Sequence, residues 1–278
     1  MPFLRRPGKP TLHYVIDDHT DPWKKKPWVV LQHGYSRSHQ FFRAWVPYLS
    51  RHYRVIRPDL RGFGLSPVDF DPYEGINPEG FMEDYGAICD MMGEPMHFVG
   101  ESFAGIAGVL FAIRHPEKLR SLTLLSSPLS FPPETQKAFA CGHESWEVAL
   151  RTLGSLEWAK RIGGATRFPP DADPALVAWA AEEAGKTDLE VMIAMARAAA
   201  TVDITAELPK VRVPTLGLYP TAGTITSREE QKIREGIPGI RLLNLPTRYH
   251  AIQLLMPAAC ATALLHFCGE VDGVVNRE

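Results

Sequence analysis

The sequence predicts an α/β fold, with a mostly parallel central sheet covered by helices on both faces and a helical lid insertion. Three observations predict it. Short apolar runs alternate with helix-forming segments from Leu12 to Leu125, the rhythm of a parallel sheet with crossover helices. The rhythm stops between Ser130 and Thr205 and resumes at Val213. Between one apolar run and one helix, Gly100-Glu101-Ser102-Phe103-Ala104-Gly105 places a serine at the tip of a sharp turn.

The elements follow in order. Leu12–Ile16 reads as a strand, followed by the polar turn Asp17–Asp21. Trp28-Val29-Val30-Leu31-Gln32 is a continuous apolar run suited to a strand buried on both faces. Gln40–Leu49 reads as a helix, Tyr53–Arg57 as a strand and Asp59–Ser66 as a turn-rich loop. Pro78–Met92 is helical, and His97-Phe98-Val99 leads into the serine turn. Phe103–Ile113 is the next helix. It ends at His115-Pro116, because proline lacks a donor and restricts the residue before it. Leu119–Leu125 is another buried strand.

Within the interruption, Ala175–Gly185 and Leu189–Thr201 are rich in helix formers. Val213–Tyr219 and Ile240–Leu245 then read as strands, Arg228–Glu235 and Ile252–Phe267 as helices, and Gly269–Glu278 as a loose tail. The expected organisation is a core of residues 1–129 and 206–278 with a cap of residues 130–205 inserted in it.

Composition excludes several classes of function. The formal charge of −2 and the absence of a long basic block argue against nucleic acid or an acidic membrane surface as partner. Cys89, Cys141, Cys260 and Cys268 form no C-x-x-C pair, and no Cys/His spacing suggests zinc. No apolar run is long enough to span a bilayer, and the opening residues lack the apolar core of a signal peptide. The expectation is a cytoplasmic protein with reduced thiols, a monomer or homodimer. It would act on a small-molecule substrate without metal or cofactor.

Chemistry concentrates in four motifs. A serine hydroxyl needs a base within hydrogen-bond reach to become a nucleophile, and a strained turn needs small neighbours. Ser102, flanked by Gly100 and Ala104, meets the second demand, and Tyr249-His250 follows the last expected strand. The other two motifs are His33-Gly34-Tyr35 after a strand and Pro58-Asp59-Leu60-Arg61-Gly62-Phe63-Gly64-Leu65-Ser66. Of the remaining histidines, His13, His39, His52, His115 and His266 are expected at the surface or at helix ends, and His97 packed in its strand. His143 lies in the insertion.

In this order the motifs resemble the α/β-hydrolase fold superfamily, in its esterase, lactonase and epoxide-hydrolase branch, over nearly the whole chain. The resemblance implies a serine hydrolase of carboxylic esters or lactones with Ser102 and His250 as the catalytic pair. It places the oxyanion donors at the backbone N–H groups of Tyr35 and Phe103. His33 is expected to brace its loop, and Asp59 and Arg61 to anchor theirs. Arg37, Trp146, Trp158 and Met192 are candidates for substrate contact, with Phe139, Phe168, Trp179 and Met195 also available in the cap. Relatives of this fold also cleave C–C bonds, amides or carbamates, carry out non-hydrolytic steps, or serve as ligand receptors.

One position departs from the family. The acid that normally supports the histidine follows the strand ending at Tyr219, where this chain carries Gly223. Glu229, Glu144, Glu147, a water or a backbone carbonyl are the candidate substitutes. Glu101, although adjacent to Ser102, is expected to point away from it.

Overall fold

In the computed structural model, residues 2–223 and 225–274 are described. Eight strands form one sheet: β1 (Phe3–Arg6), β2 (Lys9–Asp17), β3 (Trp28–Gln32), β4 (Arg54–Pro58), β5 (Met96–Glu101), β6 (Leu119–Leu125), β7 (Thr215–Pro220) and β8 (Arg241–Leu245). Their order is β1-β2-β4-β3-β5-β6-β7-β8. The pairs β1·β2 and β2·β4 are antiparallel and all others parallel, so β3, β5 and β6 lie at the centre.

Helices α1 (Val46–Leu49), α2 (Pro72–Gly75), α3 (Pro78–Met92) and α4 (Phe103–Arg114) accompany the first strands. Next come α5 (Pro133–Phe139), α6 (Trp146–Ile162), α7 (Pro174–Gly185) and α8 (Leu189–Thr201) without a strand among them. Finally α9 (Ser227–Gly236), α10 (Ile252–Leu255) and α11 (Pro257–Val271) complete the fold.

The strand pleat sorts the core by a period of two. Val29, Leu31, Val55, Val99 and Leu125 pack on one face with Trp45, Leu264 and Phe267. Val30, Ile56, Phe98 and Leu124 pack on the other with Tyr85, Ile106 and Phe111 of α3 and α4. Burial on both faces is why these strands read as unbroken apolar runs. Helices α5 to α8 leave the sheet after β6 and return before β7. The two ends of this excursion meet where Ile204 N donates to Leu129 O at 3.0 Å, beside a bridge between Ser130 and Asp203.

Several elements differ from the sequence expectation for local reasons. Gln40–Leu49 is a 3-10 turn, His39–Trp45, running into the short α1, whose first turn carries Pro47. The last helix is split, because Pro257 lacks the amide that would continue α10 and instead starts α11. β1 is an added edge strand with no strong alternation of its own. Gly269–Val271, expected in a loose tail, close α11, and residues 275–278 of that expected tail lie outside the described residues.

β5 and α4 cross closely. A Cβ at Gly100 would stand 2.7 Å from Ala104 O and from Gly105 N, both backbone atoms that cannot move aside. Gly100→Ala should therefore cost about 1–3 kcal/mol by overpacking. Urea unfolding would check it, and a midpoint equal to wild type would contradict it.

Candidate active site

Ser102 occupies the turn that ends β5. Its φ of 54° and ψ of −122° are sparsely populated for a residue with a side chain. The strain is held by Ser102 N donating to Leu125 O at 2.9 Å and by Gly105 N donating to Ser102 O at 3.0 Å. Gly105 is a packing requirement, since a Cβ there would meet Ser127 Oγ at 2.4 Å. α4 begins at Phe103 with no side-chain cap, so the helix N-terminus presents its amides and positive dipole end beside Ser102.

Two further loops converge on the turn. The loop after β3 comes so close that a Cβ at Gly34 would lie 2.5 Å from Glu101 O and 3.0 Å from Ser102 Cβ. His33 braces that loop: its Nδ1 donates to Gly34 O at 2.8 Å and its Nε2 accepts from Leu60 N at 3.0 Å. The loop after β8 brings His250, and Ser102, Tyr35 and His250 line one cavity of about 540 Å³. Thr166 O accepts from His250 N at 3.1 Å and Arg167 O from Ala251 N at 3.4 Å, so the insertion holds the backbone of the histidine loop.

Glu101 corrects the sequence expectation. Its carboxylate is turned inward and fully buried, with Oε1 3.5 Å from His250 Nε2. Oε2 accepts from Gly34 N at 2.8 Å and pairs with Arg37 Nε at 3.1 Å. Strand alternation fails here because Ser102 leaves the extended conformation, so adjacent side chains no longer point to opposite faces. At 3.5 Å the contact with the imidazole is electrostatic, longer than a hydrogen bond of full strength.

Burial works to raise the carboxyl of Glu101, but Arg37, His250 and the Gly34 amide together hold it down at about 2. Burial lowers the His250 imidazole. Glu101 opposes that shift, while Arg167 and Arg37 add to it.

Gly223 has a structural reason to be glycine. Its φ is 112°, and a Cβ would lie 2.0 Å from Arg248 O. The histidine loop itself fills the space an acidic side chain would need. The other candidate acids lie elsewhere. Glu229 accepts from Leu129 N at 2.7 Å across the cavity wall, and Glu147 pairs with Arg197 and Arg151 on the surface. Glu144 is exposed.

The expected substrate contacts are redistributed. Trp146, Trp158 and Met192 are buried in the core of the insertion and do not border the Ser102 cavity. The two indoles stack with centroids 6.0 Å apart, Trp158 Nε1 donates to Phe139 O, and Met192 O accepts from Tyr35 Oη at 3.0 Å. Aromatic residues in a helical segment have a core of their own to fill, and that outcompetes the pocket. Leu129, Phe131, Phe139 and Ile225 supply the apolar wall instead, and only Phe139 among them was foreseen. Arg37 is bound to Glu101 and faces a second cavity. Arg167, unnoticed in the sequence, borders both cavities.

His13, expected at the surface or at a helix end, is corrected, since it is buried within β2; His39 opens the 3-10 turn, a helix end as expected, and is buried as well. Each places Nδ1 against Asp59 Oδ2, at 2.8 and 2.9 Å. Asp59 and Arg61 anchor their loop, the latter through Asp84 at 2.7 Å. His97 packs in β5 against Ser121 and Asp272.

A sequence model of the alpha/beta hydrolase fold matches residues 27–183. A protein of Stutzerimonas stutzeri named as a carbamate hydrolase, RutD, is 24% identical over 251 residues, covering 86% of this chain and 90% of its own. The enol-lactonase from Burkholderia xenovorans superposes with a TM-score of 0.84 at 25% identity, over 96% of this chain and 99% of its own. A thermophilic esterase from Thermogutta terrifontis gives 0.82 at 21% identity over 97% of both.

Two outcomes follow for Glu101→Gln. Arg37 would be left buried without its anion, which should cost about 3 kcal/mol in urea unfolding. The depressed carboxyl stabilises the fold above its ordinary value of 4.5, and that stability is lost as pH falls towards about 2. The variant should lack this segment of the acid profile, whereas an unchanged profile would show that Glu101 is not the group responsible.

Proposed function

The chain belongs to the alpha/beta hydrolase fold family and is a hydrolase, and from that premise we propose that it cleaves a small or medium carboxylic ester or lactone with an apolar body, without a cofactor, through an acyl-enzyme on Ser102. The observation that carries this reading is the strained Ser102 in one cavity with His250, whose imidazole lies against a buried carboxylate. The enol-lactonase and esterase neighbours favour ester chemistry.

His250 takes the hydroxyl proton as Ser102 Oγ attacks the carbonyl carbon. The negative charge that develops on the carbonyl oxygen falls to the Tyr35 and Phe103 amides, the second reinforced by the α4 dipole. Glu101 offsets the positive charge that His250 gains, the part that an acid plays in a triad. His250 then gives its proton to the leaving oxygen. Water attacks the acyl ester, passes a proton to His250, and the carboxylate product leaves with Ser102 restored. The apolar wall of Leu129, Phe131, Phe139 and Ile225 would hold the body of the substrate. Residues 130–205 act as the cap over this site.

A carbamate would follow the same steps with a different leaving group, and the relative named RutD favours including carbamates in a substrate panel.

Ser102→Ala should abolish the burst with an activated ester and lower kcat by about 10⁴-fold or more. Full activity in this variant would refute the acyl-enzyme. The base must be neutral to act, and its pKa lies below the ordinary 6.5. The acid limb of kcat/KM should therefore lie below pH 6.5. It should move lower still in Glu101→Gln, since the carboxylate is the group that raises the imidazole. A limb that stays in place in the variant would show that Glu101 does not act on His250.

A further inference from the structure

The second cavity, of about 470 Å³, shares Arg167 with the Ser102 cavity and is otherwise a separate space. Its walls are mostly small and apolar, with Ala180, Ala181, Val177 and Phe168 among them. Arg37 enters it with a side chain 3% exposed, stacked over Phe41 at 5.1 Å. One edge of its guanidinium is used by Glu101, but Nη1 and Nη2 are buried with no hydrogen-bond partner. Arg167 stands close enough to Arg37 to feel its charge. Loss of water first, and that like charge second, push it down to about 9.

Among the described residues Arg167 has no carboxylate in ion-pair reach, and its neighbour is the Phe139 ring at 5.9 Å. Two cations and one carboxylate thus leave an uncompensated positive charge at the cavity wall, Arg37 buried and Arg167 half-buried, and the buried guanidinium is costly unless an anion completes it. A planar guanidinium edge with two unpaired donors matches a carboxylate.

We propose that the second cavity is a binding site for a small apolar carboxylate, its carboxylate held between Arg37 and Arg167 and its body against the alanine-rich wall of α7. The site stands whether or not Ser102 forms an acyl-enzyme, so it can hold or fall separately from the hydrolytic reading.

Calorimetric titration of the wild-type protein with phenylacetate, phenylacetamide and inorganic phosphate tests it directly. Phenylacetate should bind at least about tenfold more tightly than the uncharged amide, which cannot use the guanidinium pair. Arg167→Gln should weaken phenylacetate by about tenfold. Ala181→Leu, which fills the second cavity alone, should weaken it by a similar factor, while Lys232→Ala, in the wall of the Ser102 cavity alone, should leave it unchanged. The proposal is overturned if acid and amide bind alike, if phosphate binds as well as phenylacetate, or if Lys232→Ala weakens binding while Ala181→Leu does not.

Discussion

The buried ion pair of Glu101 and Arg37 is the interaction on which the rest of the site depends. One carboxylate, with no exposure to water, ties the end of β5 to the Gly34 amide, to the Arg37 guanidinium and to the edge of His250. A charge this deep is tolerated only when its lone pairs are met by donors and its charge by a cation. Its three neighbours come from the loops after β3 and β8, so the same pair that neutralises the carboxylate also fixes where those loops sit relative to Ser102.

That arrangement explains the departure at Gly223. In this chain the Arg248 carbonyl lies where a Cβ would stand, so the histidine loop has moved into the space of the usual acid. A partner for the imidazole must then come from another direction, and β5 brings the Glu101 carboxylate, next to Ser102, to 3.5 Å from it. Glu101 differs electrically from an isolated acid, because Arg37 shares its charge. The His250 imidazole consequently sits in a field where burial and two arginines outweigh one carboxylate and lower its pKa.

The sheet was legible in the sequence because strands buried on both faces leave continuous apolar runs, and Trp28–Gln32 and Leu119–Leu125 were read to their ends. Ser102 was legible because a strained turn imposes small neighbours on the chain around it. What escaped was tertiary. The inward turn of Glu101 depends on the backbone leaving strand geometry one residue later, which no alternation pattern carries. The burial of His13 and His39 left no signal, because only the fold brings Asp59 between them. The aromatic residues of the insertion could have faced the pocket or one another, and composition does not distinguish the two. Arg167 left no signal at all, since a single arginine after a glycine pair resembles any solvated residue.

The segment from α5 to α8 also reaches the histidine loop. Its Gly163–Arg167 segment accepts hydrogen bonds from the amides of His250 and Ala251, and Arg167 of that segment borders both cavities. Tyr35, whose amide neighbours the nucleophile loop, sends its hydroxyl to Met192 O in α8 and its ring against Trp146 and Trp158. The His250 loop and the β3 loop are therefore both anchored in the same helical excursion. A displacement of that excursion would move the groups around Ser102 along with the walls. The cavity wall and the groups around Ser102 are mechanically coupled in this chain, through two backbone hydrogen bonds on one side and an aromatic cluster on the other.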